Sequence, residues 1–224
     1  MFSRDFTTAL WEHMQHLTGL RESILTGNSA RAIEETQKTL LDGANPAEIV
    51  SRGIGPAMGE VGKLFEAGEC FVPELLMAAK CTKEVFRILR PLLAQTGAKP
   101  NGRVVMGTVH GDLHDIGKNL VAAMLEGGGF EVTDLGVDVP AERFIAAVRD
   151  RQAHIVGLSA LLTSTLPAMK AVVEAFRASG MRDSIKIMVG GAPVTQEYAT
   201  AIGADGYGES AASSVDLARR LIGG

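Results

Sequence analysis

Cysteine is scarce: the 224 residues contain two, Cys70 and Cys81. So few thiols exclude a disulfide-stapled scaffold and fit a reducing compartment, with both side chains read as small buried apolar groups. No apolar run is long enough to span a bilayer, so no membrane association is expected. The opening stretch MFSRDFTTALWEHMQHL lacks the uninterrupted apolar core of a signal peptide, and a cytoplasmic location is the expectation. Positive charge is not in excess. Lys and Arg number 22 against 26 Asp and Glu, a net charge of −4, which leaves no footprint for a nucleic-acid partner. Aromatic residues are only 5% of the chain, but 46% hydrophobic and 21% charged residues describe a globular protein rather than a disordered one. No internal repeat and no low-complexity segment is present.

What is there falls into two parts. Residues 1–95 carry helical periodicity, with Phe6, Leu10, Met14, Leu17 and Leu20 stepping three and four residues along one face. Gly27 and Gly43 read as stops, Asn28 or Ser29 as the next cap, and Asn45 followed by Pro46 as another helix start. Pro56 and several glycines interrupt the third helix, predicting a kink or close packing. VPELLMAAKCTKEVFRILRPLLAQ forms the fourth. Four helices with short loops predict an antiparallel bundle. TGAKPNG, residues 96–102, reads as a linker. From 103 to 224, apolar β-rich runs (RVVMGTV, FEVTDLG, HIVGLSA, IKIMVGG and a weak ADGYG) alternate with helices. That alternation predicts an α/β domain whose parallel five-stranded sheet is covered on both faces.

In open parallel sheets, ligands bind at the carboxyl ends of the strands, near the point where strand order reverses. Strand one ends in HGDLHDIGKN, strand three in SALLTST and strand four in GGAP; strand two ends in the duller GVDVP. A flavodoxin-like order of 2-1-3-4-5 makes the first three loops one rim. On it, a histidine sits between Asp112 and Asp115. A polar helix cap, a metal ligand and a proton relay all use such residues. Asp115 can cap the helix beginning at Ile116. Asp112 is a plausible partner for the second ring nitrogen of His114, as carboxylates are for ligating histidines, and a strand-three hydroxyl can extend that chain. His110 and His114 would make an i,i+4 zinc pair only on a regular helical turn, which Gly111 disfavours. His13, His16 and His154 lie in unrelated segments and read as packing residues. The loop is not a P-loop, since Asn119 stands where magnesium needs a hydroxyl, and no G-x-G-x-x-G follows strand one to cradle a dinucleotide.

Together, the D-x-H-x-x-G of Asp112, His114 and Gly117, the S-x-L of Ser159 and Leu161, and the paired Gly190 and Gly191 resemble the signature of corrinoid proteins of methyltransferase systems. The chain is similar to the cobalamin-binding module of methionine synthase. GIGPAMGEVGKLFEAGECFVPELLMAA resembles the helical cap that covers the corrin in that family.

The resemblance implies an all-α helical-bundle cap domain (1–95), a hinge-like linker (96–102) and a Rossmann-like, flavodoxin-like cobalamin domain (103–224). It implies cobalamin bound base-off/His-on, in its methylcobalamin or hydroxocobalamin form, with His114 as the ligand to cobalt. Asp112 is then hydrogen-bonded to the other ring nitrogen. The family's third relay member is a serine that aligns with Thr165; the adjacent Ser164 offers a second hydroxyl. Gly111, Leu113, Asp115, Ile116 and Gly117 would border the corrin, Gly117 by letting the helix start pack close. Ser159, Leu161 and Thr163 would line the benzimidazole pocket. Gly190, Gly191, Ala192, Tyr207 and Gly208 would border the nucleotide tail, and in the cap Met58, Phe65 and Val72 would shield the upper face.

The function implied is that of a methyl carrier, a subunit of a methyltransferase system rather than a complete enzyme. Its implied partners are a substrate-specific corrinoid methyltransferase, a methylcorrinoid:acceptor methyltransferase serving tetrahydrofolate or a thiol coenzyme, and a corrinoid reactivation protein. The rivals are a cobalamin-dependent sensor, for which the first stretch of about 25 residues leaves no room for a DNA-binding module, the cobalamin subunit of a mutase, and a plain storage protein. The methyl donor is hidden, because donor choice lies in the partner.

Overall fold

The structure, a computed structural model, describes residues 6–95 and 100–223, the side chains of residues 6–14 and of Ala94 excepted. Phe6, Leu10 and Met14 of the expected stripe therefore lie outside the described side chains, and residues 96–99 of the expected linker lie outside the description altogether. The chain divides into two units, residues 1–99 with Glu126–Gly129, and residues 100–125 with 130–224.

The first unit is helical. In α1 (Phe6–Leu25), Leu17, Leu20 and Ile24 are buried, continuing the predicted stripe. Gly27, at φ +67, ends the segment, and Asn28 Oδ1 accepts from Arg31 N at 3.1 Å to start α2 (Ser29–Leu41). Buried Thr36 and Thr39 satisfy their hydroxyls on the carbonyls one turn back, so polar side chains sit inside without loss of partners. Asn45 Oδ1 accepts from Ala47 N at 2.9 Å and opens α3 (Pro46–Glu48).

The kink expected near Pro56 is a π-helical stretch, Ile49–Ile54, that runs into α4 (Gly55–Glu66). Proline has no N–H and its ring crowds the carbonyl four residues back. The backbone widens instead, and Gly55 N–H donates to Val50 O, five residues back. A Cβ on Gly53 in this stretch would lie 3.0 Å from Leu20 Cδ2, so the missing side chain lets α1 approach closely. In α5 (Val72–Gln95), Glu74 reaches back to Phe71 N at 3.1 Å, half of a capping box. The helix buries Leu75, Ala78, Cys81, Val85 and Leu89, a three- and four-residue stripe. Cys81 is the buried thiol that was expected, and burial pushes it up to about 11. Cys70 corrects the expectation: it is only half-buried, in the turn between α4 and α5.

The second unit contains β1 (Arg103–Thr108), α6 (Ile116–Gly127), β2 (Glu131–Asp134), α7 (Ala141–Arg151), β3 (Ile155–Ser159), α8 (Leu166–Ala178), β4 (Lys186–Gly190), α9 (Gln196–Ile202), β5 (Gly206–Gly208) and α10 (Ala211–Gly223). The five strands are parallel in the order β2-β1-β3-β4-β5, as predicted. Phe144, Val148, Met169, Phe176 and Ile202 from α7, α8 and α9 pack with Val105, Val156, Leu158, Ile187 and Val189 of the strands in one cluster. Side-chain alternation sends Val104, Met106 and Met188 to the other face. There Leu217 of α10 closes on Gly206, where a Cβ would sit 2.5 Å from Leu217 Cδ1.

The chain steps from β1 to β2 on one side and then back past β1 to β3. Right-handed crossovers therefore put α6 on the face opposite α7, α8 and α9, and the reversal lies between β1 and β3. At the carboxyl edge, Thr108, Ser159, Gly190 and Gly208 align across four strands. That row of small residues keeps the floor beneath the loops low.

Candidate functional site

The reversal point opens between the loop after β1 and the loop after β3, and one side chain ties the two together. Asp112 is fully buried, yet it lacks no partner. Its Oδ1 accepts from His114 N at 3.1 Å and lies 2.7 Å from His114 Nδ1. Its Oδ2 accepts from Leu161 N at 2.7 Å, Leu162 N at 3.2 Å and Thr165 Oγ1 at 2.8 Å. Burial alone would raise this carboxyl. The hydrogen bonds from the His114 ring, the Leu161 and His114 backbone N–H groups and the Thr165 hydroxyl outweigh it and hold the group well below the usual carboxylate range. Asp112 is therefore ionised and can only accept.

That fixes the histidine. A ring nitrogen facing an acceptor-only carboxylate at 2.7 Å must carry the proton, so neutral His114 is the Nδ1–H tautomer and Nε2 presents its lone pair. The side chain is 51% exposed, and among the described residues Nε2 has no partner. The loop is held from beneath as well, where Thr108 Oγ1 donates to His114 O at 2.8 Å.

Around this nitrogen the rim is apolar and open. Leu113 and Ile116 are each 71% exposed, Leu161 44% and Leu162 41%. Large apolar side chains so exposed on the two joined loops mark a surface made to be covered. A single imidazole lone pair is too few donors for a zinc site, and among the described residues no group of three or more His, Cys, Asp or Glu could hold a metal ion. His110 belongs instead to Asp138, its Nδ1 lying 2.7 Å from Asp138 Oδ1.

The other predicted residues divide. Thr163, Ala192, Gly191 and Gly111 are exposed at the same edge, and Ser159, Gly190 and Gly208 are half-buried in or beside the aligned row. Thr165, 7% exposed, is the hydroxyl that meets Asp112. Asp115 O accepts from Asn119 N at 2.8 Å, and its carboxylate accepts from Asn119 Nδ2 at 3.0 Å. Tyr207 packs against the core cluster. Two of the glycines differ in what surrounds them. A Cβ on Gly117 would meet nothing within 4 Å, so no packing of the protein against itself demands glycine there. At Gly191, φ is +122 and a Cβ would fall 1.9 Å from Ala160 O, so the protein's own backbone requires that glycine. In the helical unit, Met58 is buried while Phe65 and Val72 are half-buried.

Comparison with known proteins gives the family. A family described as B12 binding domain matches residues 102–216, and a second family of the same description matches residues 17–90. The chain belongs to the B12-binding corrinoid proteins. It is 40% identical over 212 residues to dimethylamine corrinoid protein 1 of Methanosarcina acetivorans, covering 94% of this chain and 98% of that one. Among solved structures it resembles a cobalamin-binding protein from Desulfitobacterium hafniense, with 32% identity, TM-score 0.76, and 92% and 98% of the two chains covered. It also resembles a chain of the methanol:cobalamin methyltransferase complex from Methanosarcina barkeri, with 30% identity, TM-score 0.82, and 100% and 87% covered. The resemblance read from the three short motifs and the cap is thereby borne out. Among the described residues of this corrinoid protein, no helix is long and apolar enough to cross a membrane.

Two participants escaped the sequence reading. Thr108 carried a weak signal, a hydroxyl at the end of an otherwise apolar strand. Asp138 sat in GVDVP, the loop read as dull, and nothing local distinguished it. A polar recess of about 360 Å³ lined by Arg177, Arg182, Asp183, Lys186 and Asp205 lies at the amino-terminal end of β4. Its arginines are committed to Ile202 O, Gly203 O and Asp205, so it plays no part in the rim.

Proposed function

We propose that this corrinoid protein is a methyl carrier that binds cobalamin base-off/His-on, with His114 Nε2 as the ligand to cobalt. One observation carries the reading: a histidine whose Nδ1–H is committed to a buried, fully bonded carboxylate while Nε2, on an apolar rim, has no partner among the described residues. The bound cofactor supplies the metal centre that takes up and gives back the methyl group.

Everything else is done by this chain. Asp112 orients the ring and, through Thr165 Oγ1, adjusts how strongly Nε2 donates. A proton held at Nδ1 can shift toward Asp112 Oδ1 and back along a 2.7 Å contact as the demand on Nε2 changes. Leu113, Asp115, Ile116, Gly111 and Gly117 border the macrocycle. Ser159, Leu161, Thr163, Gly190, Gly191, Ala192 and Gly208 surround the displaced nucleotide tail.

The partners are a substrate-specific methyltransferase, an acceptor methyltransferase that uses tetrahydrofolate or a thiol coenzyme, and a reactivation protein, all in the cytoplasm. Relatives named for dimethylamine and methanol make these the first donors to assay. The test is reconstitution with hydroxocobalamin, read by absorption and by paramagnetic resonance of the reduced holoprotein. His114→Ala is expected to remove the nitrogen splitting of the axial ligand; an unchanged signal overturns the assignment. Recovery of methyl- or hydroxocobalamin with the purified protein supports a methyl carrier, and recovery of adenosylcobalamin argues for a sensor or mutase subunit.

A further inference from the structure

We infer that Asp138 is a positioning residue for His114: it clasps the Gly111–Asp112 segment with both side chain and backbone, and so sets where the Asp112 carboxylate holds the ring. The inference rests on the reading of His114 as the cobalt ligand. Asp138 Oδ1 accepts from Gly111 N at 2.7 Å, and the Asp138 N–H donates to Asp112 O at 2.9 Å. The two bonds grip the segment at successive residues.

Facing both groups toward the turn puts Asp138 at φ 53. Such left-handed backbone costs a non-glycine residue of order 1 kcal/mol, and aspartate is among the few side chains that tolerate it. Gly111 opposite is also left-handed, at φ +82. A strained residue that satisfies two backbone groups of the ligand loop is a built feature rather than a slack turn. Its own base is firm. Val109 and Val139 form a parallel bridge, Thr108 N donates to Gly136 O at 3.0 Å, and Val139 N donates to Thr108 O at 2.9 Å. The loop after β2 is thus a short continuation of the sheet that ends on Asp112. His110 Nδ1 reaches the same Oδ1 at 2.7 Å but touches neither Asp112 nor His114 in any hydrogen bond, so it rides on the clasp without closing it.

Three variants separate this role from general support of the loop. Asp138→Gly removes the carboxylate while keeping the backbone N–H and the positive φ. Asp138→Asn restores an oxygen for Gly111 and tolerates the same φ. His110→Ala removes only the rider. Nitrogen NMR of the His114 ring in the cofactor-free protein reads the tautomer directly, and titration with hydroxocobalamin reads affinity.

In Asp138→Gly the Nδ1–H tautomer is expected to lose its dominance, and affinity to fall roughly tenfold, the low end of the range for losing an outer partner of a metal ligand. The denaturation midpoint should stay near wild type. Asp138→Asn should return both readouts to wild type, and His110→Ala should leave both unchanged. A wild-type tautomer and affinity in Asp138→Gly overturn the inference, as does an equal loss in His110→Ala. If His114→Ala leaves the holoprotein spectrum unchanged, the ligand reading fails instead, and the tautomer measurement still decides the clasp.

Discussion

Two aspartate–histidine pairs sit in neighbouring loops of this protein with the same separation of 2.7 Å, Asp112 with His114 and Asp138 with His110. Distance does not tell them apart; surroundings do. Asp112 is fully buried and takes five donors, from His114, Leu161, Leu162 and Thr165. The Asp138 side chain is 48% exposed and takes two, from Gly111 and His110. The Gly111 N–H is the main reason its carboxyl also lies below the usual range. Water can replace a lost partner at Asp138 and cannot at Asp112. The same two side chains therefore make a buried, tuned support in one place and, in the other, a surface pair whose histidine water can replace while its aspartate holds Gly111 and Asp112.

The comparison is most exposed at Asp112→Ala. It takes the side-chain acceptor from three backbone N–H groups, those of His114, Leu161 and Leu162, and from the Thr165 hydroxyl, which keeps Leu162 O, and about 3–5 kcal/mol should be lost, at about 1–3 for each unsatisfied group with some relief by water. Urea denaturation of the cofactor-free protein measures it; a loss under about 1 kcal/mol would mean that water reaches the carboxylate and that the two pairs are alike. Thr165→Val removes one buried donor and should cost about 1 kcal/mol, with Thr165→Ser close to wild type. Equal losses in both variants would place the effect in packing rather than in the hydroxyl. Asp138→Gly should cost under about 1 kcal/mol, because glycine relieves the positive φ while the side-chain acceptor is lost. His110→Ala should change stability by less than about 0.5 kcal/mol, as exposed ion pairs do. A larger loss there, by thermal or urea unfolding, would show that the outer pair is more than a surface contact.

Much of this was legible in the chain itself. The strand–helix alternation located all five strands: β1, β3 and β4 as buried, continuous apolar runs, and the edge strands β2 and β5, which are shorter and less buried, by their place in the alternation. Asn28, Asn45 and Gly27 announced their caps and stops because capping is local chemistry. The Asp112–His114 contact was legible for the same reason, since the residues are two apart. Gly191 was singled out from its place at a strand end, and the close approach of Ala160 O, 31 positions earlier in the chain, could not be read from its neighbours. The π turn at Ile49–Ile54 was visible only as trouble around Pro56, since a proline shows where a ladder breaks but not how the backbone recovers.

The sequence by itself determined the period of every long element, the order of strands and helices, and the cluster of polar residues after β1. These depend on residues within a turn or two of one another. Only the tertiary structure decided that Thr165, 53 residues away, supplies the hydroxyl to Asp112, and that Asp138, 27 residues from Gly111, closes on the same loop. It also decided that Asp112 is buried and ionised, and hence which nitrogen of His114 faces outward. Those are outcomes of strand order and burial. A charge's state depends on how many donors the fold gathers around it, and no local pattern of residues records that count.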